Sequence, residues 1–311
     1  MIARDHGGGI DAARAQHGGA RADWIDLSTG INPDPYPLPD LPAQDWTALP
    51  DSGARTGLID AARRFWSVPD DAAILPVPGA SAAIAQIPRL APPSRVHIPG
   101  PTYNEHAAAF ARHRWHVTAD GPARAQVLVH PNNPTGAFHP APPPHGLTVI
   151  DESFCDTAPE QSHIGLCPRF DLLLLKSFGK FWGLAGLRLG FVIGAPKPLA
   201  RLEEMLGPWA VSGPALRIGT QALSDPDWAE ATRLRLTRDA ARLDRLMQGA
   251  GAAPAGGTPL FRLYETESAA ALQTRLARHH IWTRTFPYSA RWIRLGLPPA
   301  SGWDRLEQVL A

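Results

Sequence analysis

The sequence is poor in cysteine, in net charge and in long apolar runs. Its 311 residues include two cysteines and carry a formal net charge of +1. A balance so close to neutral gives no sign of a surface for nucleic acid or membranes. No apolar run is long enough to span a bilayer, and the polar N-terminus lacks the apolar core of a signal peptide. The pattern favours a cytoplasmic protein without nucleic-acid or membrane partners.

Cysteine and lysine are scarce enough for each position to be considered by itself. Cys155 and Cys167 form no CxxC pair and have no histidine at a metal-ligand spacing, so we expect two unpaired thiols and no metal site. Lysine occurs only at positions 176, 180 and 197, and the other 27 of the 30 basic residues are arginines. A lysine with a chemical role therefore has only three candidates.

Short apolar runs and helical patterns alternate over the first two thirds of the chain. This alternation predicts an α/β domain with a mostly parallel sheet. The runs that indicate buried strands are 95–98, 126–130, 147–150, 172–176 and 189–193, with helical patterns at 81–87 and 104–113. Proline-rich stretches at 33–37 and 140–144 indicate loops or turns rather than linkers between independent modules.

The pattern changes near Asp225. A long helix at 228–247 precedes a Gly/Ala/Pro-rich turn, a strand at 260–263, a helix at 268–280 and a strand at 292–297. These elements predict a smaller α+β domain at 226–311, following a large domain at 41–225. Residues 1–40 show no clear order of strands and helices, and we expect them to pack on the smaller domain.

Lys180 lies shortly after a predicted strand, among aromatic residues and glycines, in the segment SFGKFWGLAGLRLG. Ligands of open α/β sheets bind at the carboxyl ends of strands, which makes this a promising place for a reactive group. Desolvation there favours the neutral amine that forms imines. Ser177 and Arg188 flank the lysine and are suited to hold phosphate oxygens. A surface lysine beside a Gly-rich loop is the alternative interpretation.

Three further segments are suited to complete a site around this lysine. HPNNPTG at 130–136 follows a strand, although Asn-Pro and Thr-Gly are also ordinary turn chemistry. Asp151 ends another strand, where it is either an acid facing a ring nitrogen or a helix N-cap. PGAS at 78–81 opens a helix, where backbone N–H groups and the helix dipole favour an anion.

The combination of PNNPTG with SFGKFWGLAGLRLGF resembles the fold type I pyridoxal 5'-phosphate (PLP) enzymes, specifically the class I and II aminotransferases, over about residues 25–297. The resemblance implies an α/β fold with a mostly parallel sheet and a smaller α+β domain, PLP as cofactor, and a homodimer. It implies that Lys180 carries PLP as a Schiff base and moves protons at the substrate α-carbon. The implied cofactor contacts are Asp151 to the pyridinium nitrogen, Asn133 to the 3'-oxygen, Tyr103 to the ring face, and Gly79, Ala80, Ser81, Ser177 and Arg188 to the phosphate.

Two positions depart from the family pattern. Phe154 stands where the family often has a tyrosine that touches the 3'-oxygen. Leu49 stands where a tyrosine often reaches the cofactor phosphate of the neighbouring subunit. Neither departure affects Lys180, Asp151 or Asn133.

The N-terminal segment indicates which reaction of the family this chain catalyses. HGGG at 6–9 and DLSTGINP at 26–33 resemble the opening of the threonine-phosphate decarboxylases of cobalamin biosynthesis. This resemblance implies decarboxylation of a phosphorylated amino acid, L-threonine O-3-phosphate, to (R)-1-amino-2-propanol O-2-phosphate. Arg294 resembles the arginine that binds the substrate α-carboxylate. Its planar guanidinium group can donate two parallel hydrogen bonds to a carboxylate. The candidates for the substrate phosphate are His6, Ser28 and Arg284, with Asn32 in the same substrate set.

The same residues also fit two other functions. A histidinol-phosphate or aromatic amino-acid aminotransferase would use the same cofactor residues and differ only in its substrate contacts. A catalytically inert PLP-fold regulator usually carries a DNA-binding domain, for which this chain has neither spare length nor a basic patch. Arg284 and Arg294 also have a plain interpretation as solvated arginines of an arginine-rich chain.

Overall fold

The structure is a computed structural model that describes residues 6–143, 146–169 and 171–311. These residues form two compact units. The large unit comprises Pro35–Asn133 and Phe138–Glu230, and the small unit comprises 6–34, Pro134–Ala137 and Ala231–Ala311. Among the described residues, no helix combines the length and the apolar character that crossing a membrane requires.

Strands and helices of the described residues are numbered here along the chain. The strands are β1 (Ile25–Asp26), β2 (Ala73–Val77), β3 (Arg95–His97), β4 (His116–Thr118), β5 (Ala125–Val129), β6 (Leu147–Asp151), β7 (Leu172–Ser177), β8 (Gly190–Gly194), β9 (Ala253–Thr258), β10 (Phe261–Glu265), β11 (Ile281–Trp282), β12 (Arg284–Phe286) and β13 (Ser289–Gly296). The α-helices are α1 (Ile10–His17), α2 (Gln44–Thr47), α3 (Ser52–Trp66), α4 (Ala80–Gln86), α5 (Asn104–Arg112), α6 (Pro196–Leu206), α7 (Gly213–Leu223), α8 (Pro226–Gly249), α9 (Ala269–Ala277) and α10 (Trp303–Leu310).

A seven-stranded sheet in the order β2-β8-β7-β6-β5-β3-β4 forms the centre of the large unit. Only β8 among its described strands runs antiparallel, pairing with β2 and β7, which confirms the mostly parallel sheet. The runs LLLLK of β7 and GFVIG of β8 are buried residue after residue. Strands covered on both faces show such continuous apolar runs. All five strands expected from the sequence are present, with ends shifted by at most one residue.

Helices α4, α5 and α6 cover the core of this sheet, where Ile84, Phe110 and Leu202 pack against the apolar strand residues. The first two helices were expected, whereas α3, α6 and α7 were not. Helix α3 begins with the Asp51 carboxylate accepting from the Ala54 N–H at 2.9 Å, as an N-cap does. Two of its four buried positions are alanines, and Arg63 and Arg64 lie between them and Trp66, which weakens the apolar pattern that sequence reasoning depends on.

The small unit contains a four-stranded antiparallel sheet in the order β12-β13-β10-β9. The Gly/Ala/Pro-rich turn expected after α8 is wrong, because most of that stretch is strand β9. As an edge strand, β9 tolerates Pro254, since one side of the strand needs no N–H donors. Gly257 has a φ of 120° and its N–H donates to Thr135 O at 2.8 Å. A Cβ on Gly136 would lie 2.0 Å from the Gly257 oxygen, so this backbone contact requires glycine.

The N-terminal residues are more ordered than the sequence indicated. They form α1 and the two-residue strand β1, which pairs in parallel with β11. Ile25 lies opposite Ile281 in this pairing. The Trp24 ring lies 5.1 Å from His280 and 6.3 Å from Trp282, measured between ring centroids. Two residues are too few to show a periodic pattern, so this strand depends on its partner from the far end of the chain.

Candidate active site

The predicted cofactor residues meet at one cavity of the large unit. The cavity has a volume of about 150 Å³ and lies where β6 and β7 end. Gly79 directly precedes the first lining residue, Ala80. The remaining eight predicted residues all line the cavity: Ala80, Ser81, Tyr103, Asn133, Asp151, Ser177, Lys180 and Arg188.

Lys180 is the lysine of this cavity. All three lysines lie in the described ranges, and Lys180 is the one that lines the cavity wall. It follows the end of β7 by three residues, and its Nζ lies 5.4 Å from the centre of the Phe154 ring. Lys197 is exposed on α6. The position of Lys180 therefore suits an amine that must meet a ligand.

Lys176, four residues earlier, is buried in an ion cluster. Its Nζ lies 2.8 Å from Glu152 Oε2 and 3.4 Å from Asp156 Oδ1. Burial alone would lower the pKa of Lys176, but the charges of Glu152 and Asp156 raise it above its ordinary value. An amine held in its protonated form by two carboxylates has no lone pair for nucleophilic attack. Lys176 is therefore a structural residue.

Asp151 is the buried acid at the end of β6. Its carboxylate accepts hydrogen bonds from His106 Nε2 at 2.8 Å and from the Ser153 N–H and hydroxyl at 3.0 and 2.5 Å. Burial alone would raise the pKa of Asp151, but these hydrogen bonds and the attraction of His106 lower it. The carboxylate is therefore ionised at neutral pH, as a partner of a protonated ring nitrogen must be.

His106 is a site residue that sequence reasoning missed. It lies in α5, three residues after Tyr103, and its ring meets the Tyr103 ring edge to face at 6.0 Å. It is fully buried, and 45 residues separate it from Asp151. No local pattern in the sequence signals a pair so far apart.

Arg188, Ser81 and Gly79 form the polar end of the cavity. Arg188 donates to Ser81 Oγ at 3.0 Å and to Ala185 O at 3.1 Å. Gly79 has a φ of 81°, and a Cβ there would lie 2.4 Å from Arg188 Nη2. Glycine therefore lets the guanidinium lie against the backbone. Together with the nearby Ser177 hydroxyl, this donor set suits a phosphate group.

The two asparagines of PNNPTG have different positions. Asn132 is buried, accepts from Thr102 Oγ1 at 2.6 Å and donates to Pro101 O at 3.0 Å. Asn133 lines the cavity. Asn132 thus braces the loop that presents Asn133.

Arg294 and Arg284, two of the predicted substrate residues, form a cross-strand pair in the small unit. Arg294 is buried in β13, and its Nη2 donates to Ser28 O at 2.7 Å. Arg284 lies directly opposite it on β12. Like charges directly opposite each other destabilise a strand pair, so this arrangement favours an anion beside the two guanidinium groups.

Ser28 forms a hydrogen-bonded loop in the same unit. Its N–H and its hydroxyl both donate to Asp26 Oδ1, at 2.9 and 2.5 Å. Its Oγ accepts from the Gly8 N–H at 2.7 Å. Both donors of Ser28 are therefore directed at Asp26.

The other two substrate candidates lie near the N-terminus of the small unit. Asn32 is buried, and its Oδ1 accepts from Arg235 Nη2 at 2.7 Å and from the Asp34 N–H at 3.1 Å. His6 is exposed and begins the described part of the chain.

A cluster of His130, Glu152 and Cys155 has ligand atoms within 4.8 Å of one another. Its groups are engaged in hydrogen bonds and ion pairs, however. His130 Nδ1 accepts from the His139 N–H at 3.0 Å, its Nε2 lies 2.7 Å from Gln161 O, and Glu152 pairs with a lysine. Burial raises the pKa of the Cys155 thiol, and both cysteines are free and buried. This cluster is therefore part of the packing rather than a metal centre.

Comparison with known proteins decides the family. The family model described as aminotransferase class I and II matches residues 122–310. The chain belongs to the class I and II aminotransferases. Two curated relatives match almost the whole chain: a threonine-phosphate decarboxylase from Sinorhizobium sp. at 44% identity, covering 98% of this chain and 97% of the relative, and one from Pseudomonas aeruginosa at 39% identity, covering 98% and 97%.

A solved structure has a similar fold. The histidinol-phosphate aminotransferase from Sinorhizobium meliloti, in complex with pyridoxal-5'-phosphate, has a TM-score of 0.79 at 21% identity and covers 97% of this chain and 94% of that chain. The fold type I prediction is confirmed, and so is PLP as the cofactor of this aminotransferase-family enzyme. The cavity fits that cofactor, because it combines an amine, an ionised acid, an amide, an aromatic ring and phosphate donors.

We expect His106→Leu to weaken PLP binding by about 10- to 150-fold, because a hydrogen bond to a charged group contributes ~1.5–3 kcal/mol. Asp151 would remain buried with one donor fewer, and its pKa would rise. As the pH falls, the variant would therefore lose PLP at a higher pH than the unmodified protein. Titration of PLP into apoprotein at several pH values measures this. His106→Gln keeps a donor and is the matched control, and equal losses in both variants would contradict the role of His106.

Proposed function

We propose that this enzyme decarboxylates L-threonine O-3-phosphate to (R)-1-amino-2-propanol O-2-phosphate, a step of cobalamin biosynthesis. The observation that carries the proposal is near full-length identity of 44% and 39% to two threonine-phosphate decarboxylases. A histidinol-phosphate aminotransferase from Mycobacterium bovis reaches 30% identity over 76% of this chain. The substrates in these names share an amino group and a phosphate, and the nearly full-length matches favour the one that also carries an α-carboxylate, threonine phosphate.

Lys180, Asp151 and the phosphate donors have distinct roles in this proposal. Bound PLP supplies an electron sink for the bond that breaks at the substrate α-carbon. Lys180 holds the cofactor and later delivers a proton to the α-carbon. Asp151, ionised and braced by His106, keeps a proton on the ring nitrogen.

The remaining cavity residues orient the cofactor in this proposal. Tyr103 would pack on the ring face, and Asn133 would donate to the 3'-oxygen. Ser177, Arg188 and the backbone and hydroxyl of the segment Gly79, Ala80 and Ser81 would hold the phosphate. Phe154 offers no hydroxyl beside Lys180, so Asn133 is the group that we assign to the 3'-oxygen.

The residues that bind the substrate would decide which bond at its α-carbon breaks, because they would fix its orientation relative to the cofactor. We propose that Arg294 binds the α-carboxylate, and that Arg284 and His6 bind the phosphate. The cross-strand position of the two arginines supports paired anionic groups in one substrate. Asn32 belongs to the same set, with its Oδ1 fixed by Arg235. Because Asp26 takes both Ser28 donors, Ser28 is better suited to a different role.

The reaction is tested by incubating the PLP-loaded enzyme with threonine phosphate. Carbon dioxide release that does not need 2-oxoglutarate supports the decarboxylase. Amino transfer to 2-oxoglutarate without carbon dioxide would instead show an aminotransferase. Absence of both reactions, with PLP bound, would contradict the proposed function as well as the aminotransferase alternative.

We expect Arg284→Ala to lower kcat/KM for threonine phosphate by about 10- to 150-fold, because a charge-assisted hydrogen bond contributes ~1.5–3 kcal/mol. A non-phosphorylated analogue should lose little, since it never uses this arginine. Steady-state kinetics with both compounds measures the difference. Arg291→Ala is the matched control, because Arg291 is an exposed arginine near the start of β13 that pairs with Glu265. Equal losses for both substrates would contradict the phosphate role.

We further propose that the enzyme is a cytoplasmic homodimer. In the large unit, Trp46, Leu49 and Trp209 are exposed to 68%, 67% and 59%. Leu49 and Trp209 line two surface grooves of about 780 and 650 Å³. Exposed apolar surface of this kind supports assembly, and two unpaired thiols suit a reducing compartment. Light scattering that gives a monomer at micromolar concentration would contradict the dimer.

A further inference from the structure

Ser28 joins two segments that are far apart in the sequence. It is almost completely buried. Its Oγ accepts from the Gly8 N–H at 2.7 Å, across 20 residues. Its carbonyl oxygen accepts from Arg294 Nη2 at 2.7 Å, across 266 residues. One residue therefore contacts both the N-terminal glycine segment and the arginine of β13.

The glycines next to His6 are shaped to this contact. A Cβ on Gly7 would lie 2.4 Å from Ser28 O, the same oxygen that accepts from Arg294. Gly8 has a φ of 99°, in the region that favours glycine. A Cβ on Gly9, by contrast, would come no nearer than 4.0 Å to a neighbouring atom. Gly7 is thus required for a close approach, and Gly9 is not.

The end of β13 holds the same loop from the other side. The Gly296 N–H donates to Leu27 O at 2.7 Å, and a Cβ on Gly296 would lie 2.2 Å from Thr29 O. Residues 27–29 are therefore pressed against the strand that carries Arg294. Asp26 in turn fixes the Ser28 hydroxyl and N–H. Each polar group of Ser28 is directed at a protein partner.

A direct role for Ser28 on the substrate phosphate does not agree with this pattern. A phosphate dianion accepts hydrogen bonds, so its ligands must donate. Ser28 has two donors, its N–H and its hydroxyl, and both are directed at Asp26 Oδ1. Its carbonyl and its remaining Oγ lone pair cannot donate to an anion.

We propose that Ser28 is a positioning residue that ties the segment carrying His6 to Arg294, and so fixes the spacing between the phosphate and carboxylate contacts of the substrate. The proposal rests on the substrate roles given above to His6 and Arg294. It predicts that weakening the contacts of Ser28 with the segment around Gly8 and with Arg294 lowers the affinity for a substrate that carries both anionic groups. A substrate without the phosphate should be unaffected, because it does not use both ends.

Two independent variants test the tie. Ser28→Ala removes the acceptor of the Gly8 N–H, and Gly7→Ala forces the segment away from the Ser28 carbonyl without altering Ser28. Both should raise KM for threonine phosphate by about three- to tenfold with little change in kcat. The matched controls are Gly9→Ala, which meets no close neighbour, and Ser268→Ala, which removes a comparable serine contact at the start of α9.

Hydrogen exchange of the substrate-free protein supplies a readout that does not depend on the reaction. Residues 7–9 should exchange faster in Ser28→Ala and Gly7→Ala than in the controls. Unchanged exchange combined with a raised KM would show that Ser28 acts directly on the substrate, which overturns the proposal. Equal KM changes for phosphorylated and non-phosphorylated compounds would overturn it as well. If the enzyme did not turn over threonine phosphate at all, the proposed reaction would fail while exchange still tested the tie.

Discussion

Lys180→Ala is expected to lower the rate of decarboxylation by about four orders of magnitude or more, as removal of a nucleophile or a general acid-base group does. Lys180 is the lysine of the cavity, beside Phe154. Lys176 cannot replace it, because Glu152 and Asp156 keep that ammonium paired. Carbon dioxide release from threonine phosphate measures the loss.

Borohydride reduction gives a second test of Lys180. In the unmodified enzyme, reduction should fix the cofactor covalently to the peptide that contains residue 180, and Lys180→Ala should give no such peptide. Lys197→Ala is the matched control, because Lys197 is exposed on α6 and should leave both activity and labelling unchanged. The assignment of Lys180 would be wrong if the alanine variant still gave the same covalent adduct.

Lys176→Ala is expected to lower the free energy of unfolding by about 3–5 kcal/mol, as happens when one partner of a buried ion pair is removed. Glu152 and Asp156 would remain buried without their cation. Burial alone would raise the pKa of Glu152, but the charge of Lys176 and the hydrogen bonds from Lys176, Ser162 and His163 hold it below its ordinary value of 4.5. In the variant the contribution of Lys176 is lost while burial and the bonds from Ser162 and His163 remain, so the pKa of Glu152 would rise back towards 4.5. The stability deficit should therefore be largest at neutral pH and shrink as the pH falls towards that value.

Urea unfolding at several pH values measures this deficit. The triple variant Lys176→Met, Glu152→Gln, Asp156→Asn removes all three charges at similar volume and should recover much of the lost stability. Wherever Lys176→Ala is folded, borohydride should still label Lys180. A deficit below about 1 kcal/mol at neutral pH, the range of exposed ion pairs, would contradict the role of this cluster.

The central strands of the large sheet could be predicted because they are buried on both faces and so have unbroken apolar runs. Strand β2 was missed because Pro76 interrupts its run. Its place at the edge of the sheet explains why a proline is tolerated there. Strands β1 and β11, of two residues each, exist because each pairs with the other across the chain. No pattern within either segment encodes such a pairing.

In the candidate site, too, some residues could be predicted from the sequence and others could not. The meeting of Lys180, Asp151 and Asn133 at one cavity could be predicted, because each follows a recognisable strand and lies within a distinctive segment. His106 could not, since its link to Asp151 joins a helix and a strand 45 residues apart. Ser28 was recognised from its motif, but its contacts with Gly8 and Asp26 came only from the folded loop.

Two of the three lysines are poorly accessible, which has a practical consequence for chemical labelling of amines. Amine-reactive dyes attack neutral, accessible amines, whereas Lys176 is buried beside Glu152 and Lys180, in its proposed role, would be masked by the bound cofactor. Lys197 then remains as the accessible lysine side chain, on the surface helix α6. Among the lysine side chains, an amine-reactive fluorophore or tether should therefore select Lys197 without mutagenesis, while the bound cofactor would protect Lys180 in its proposed role.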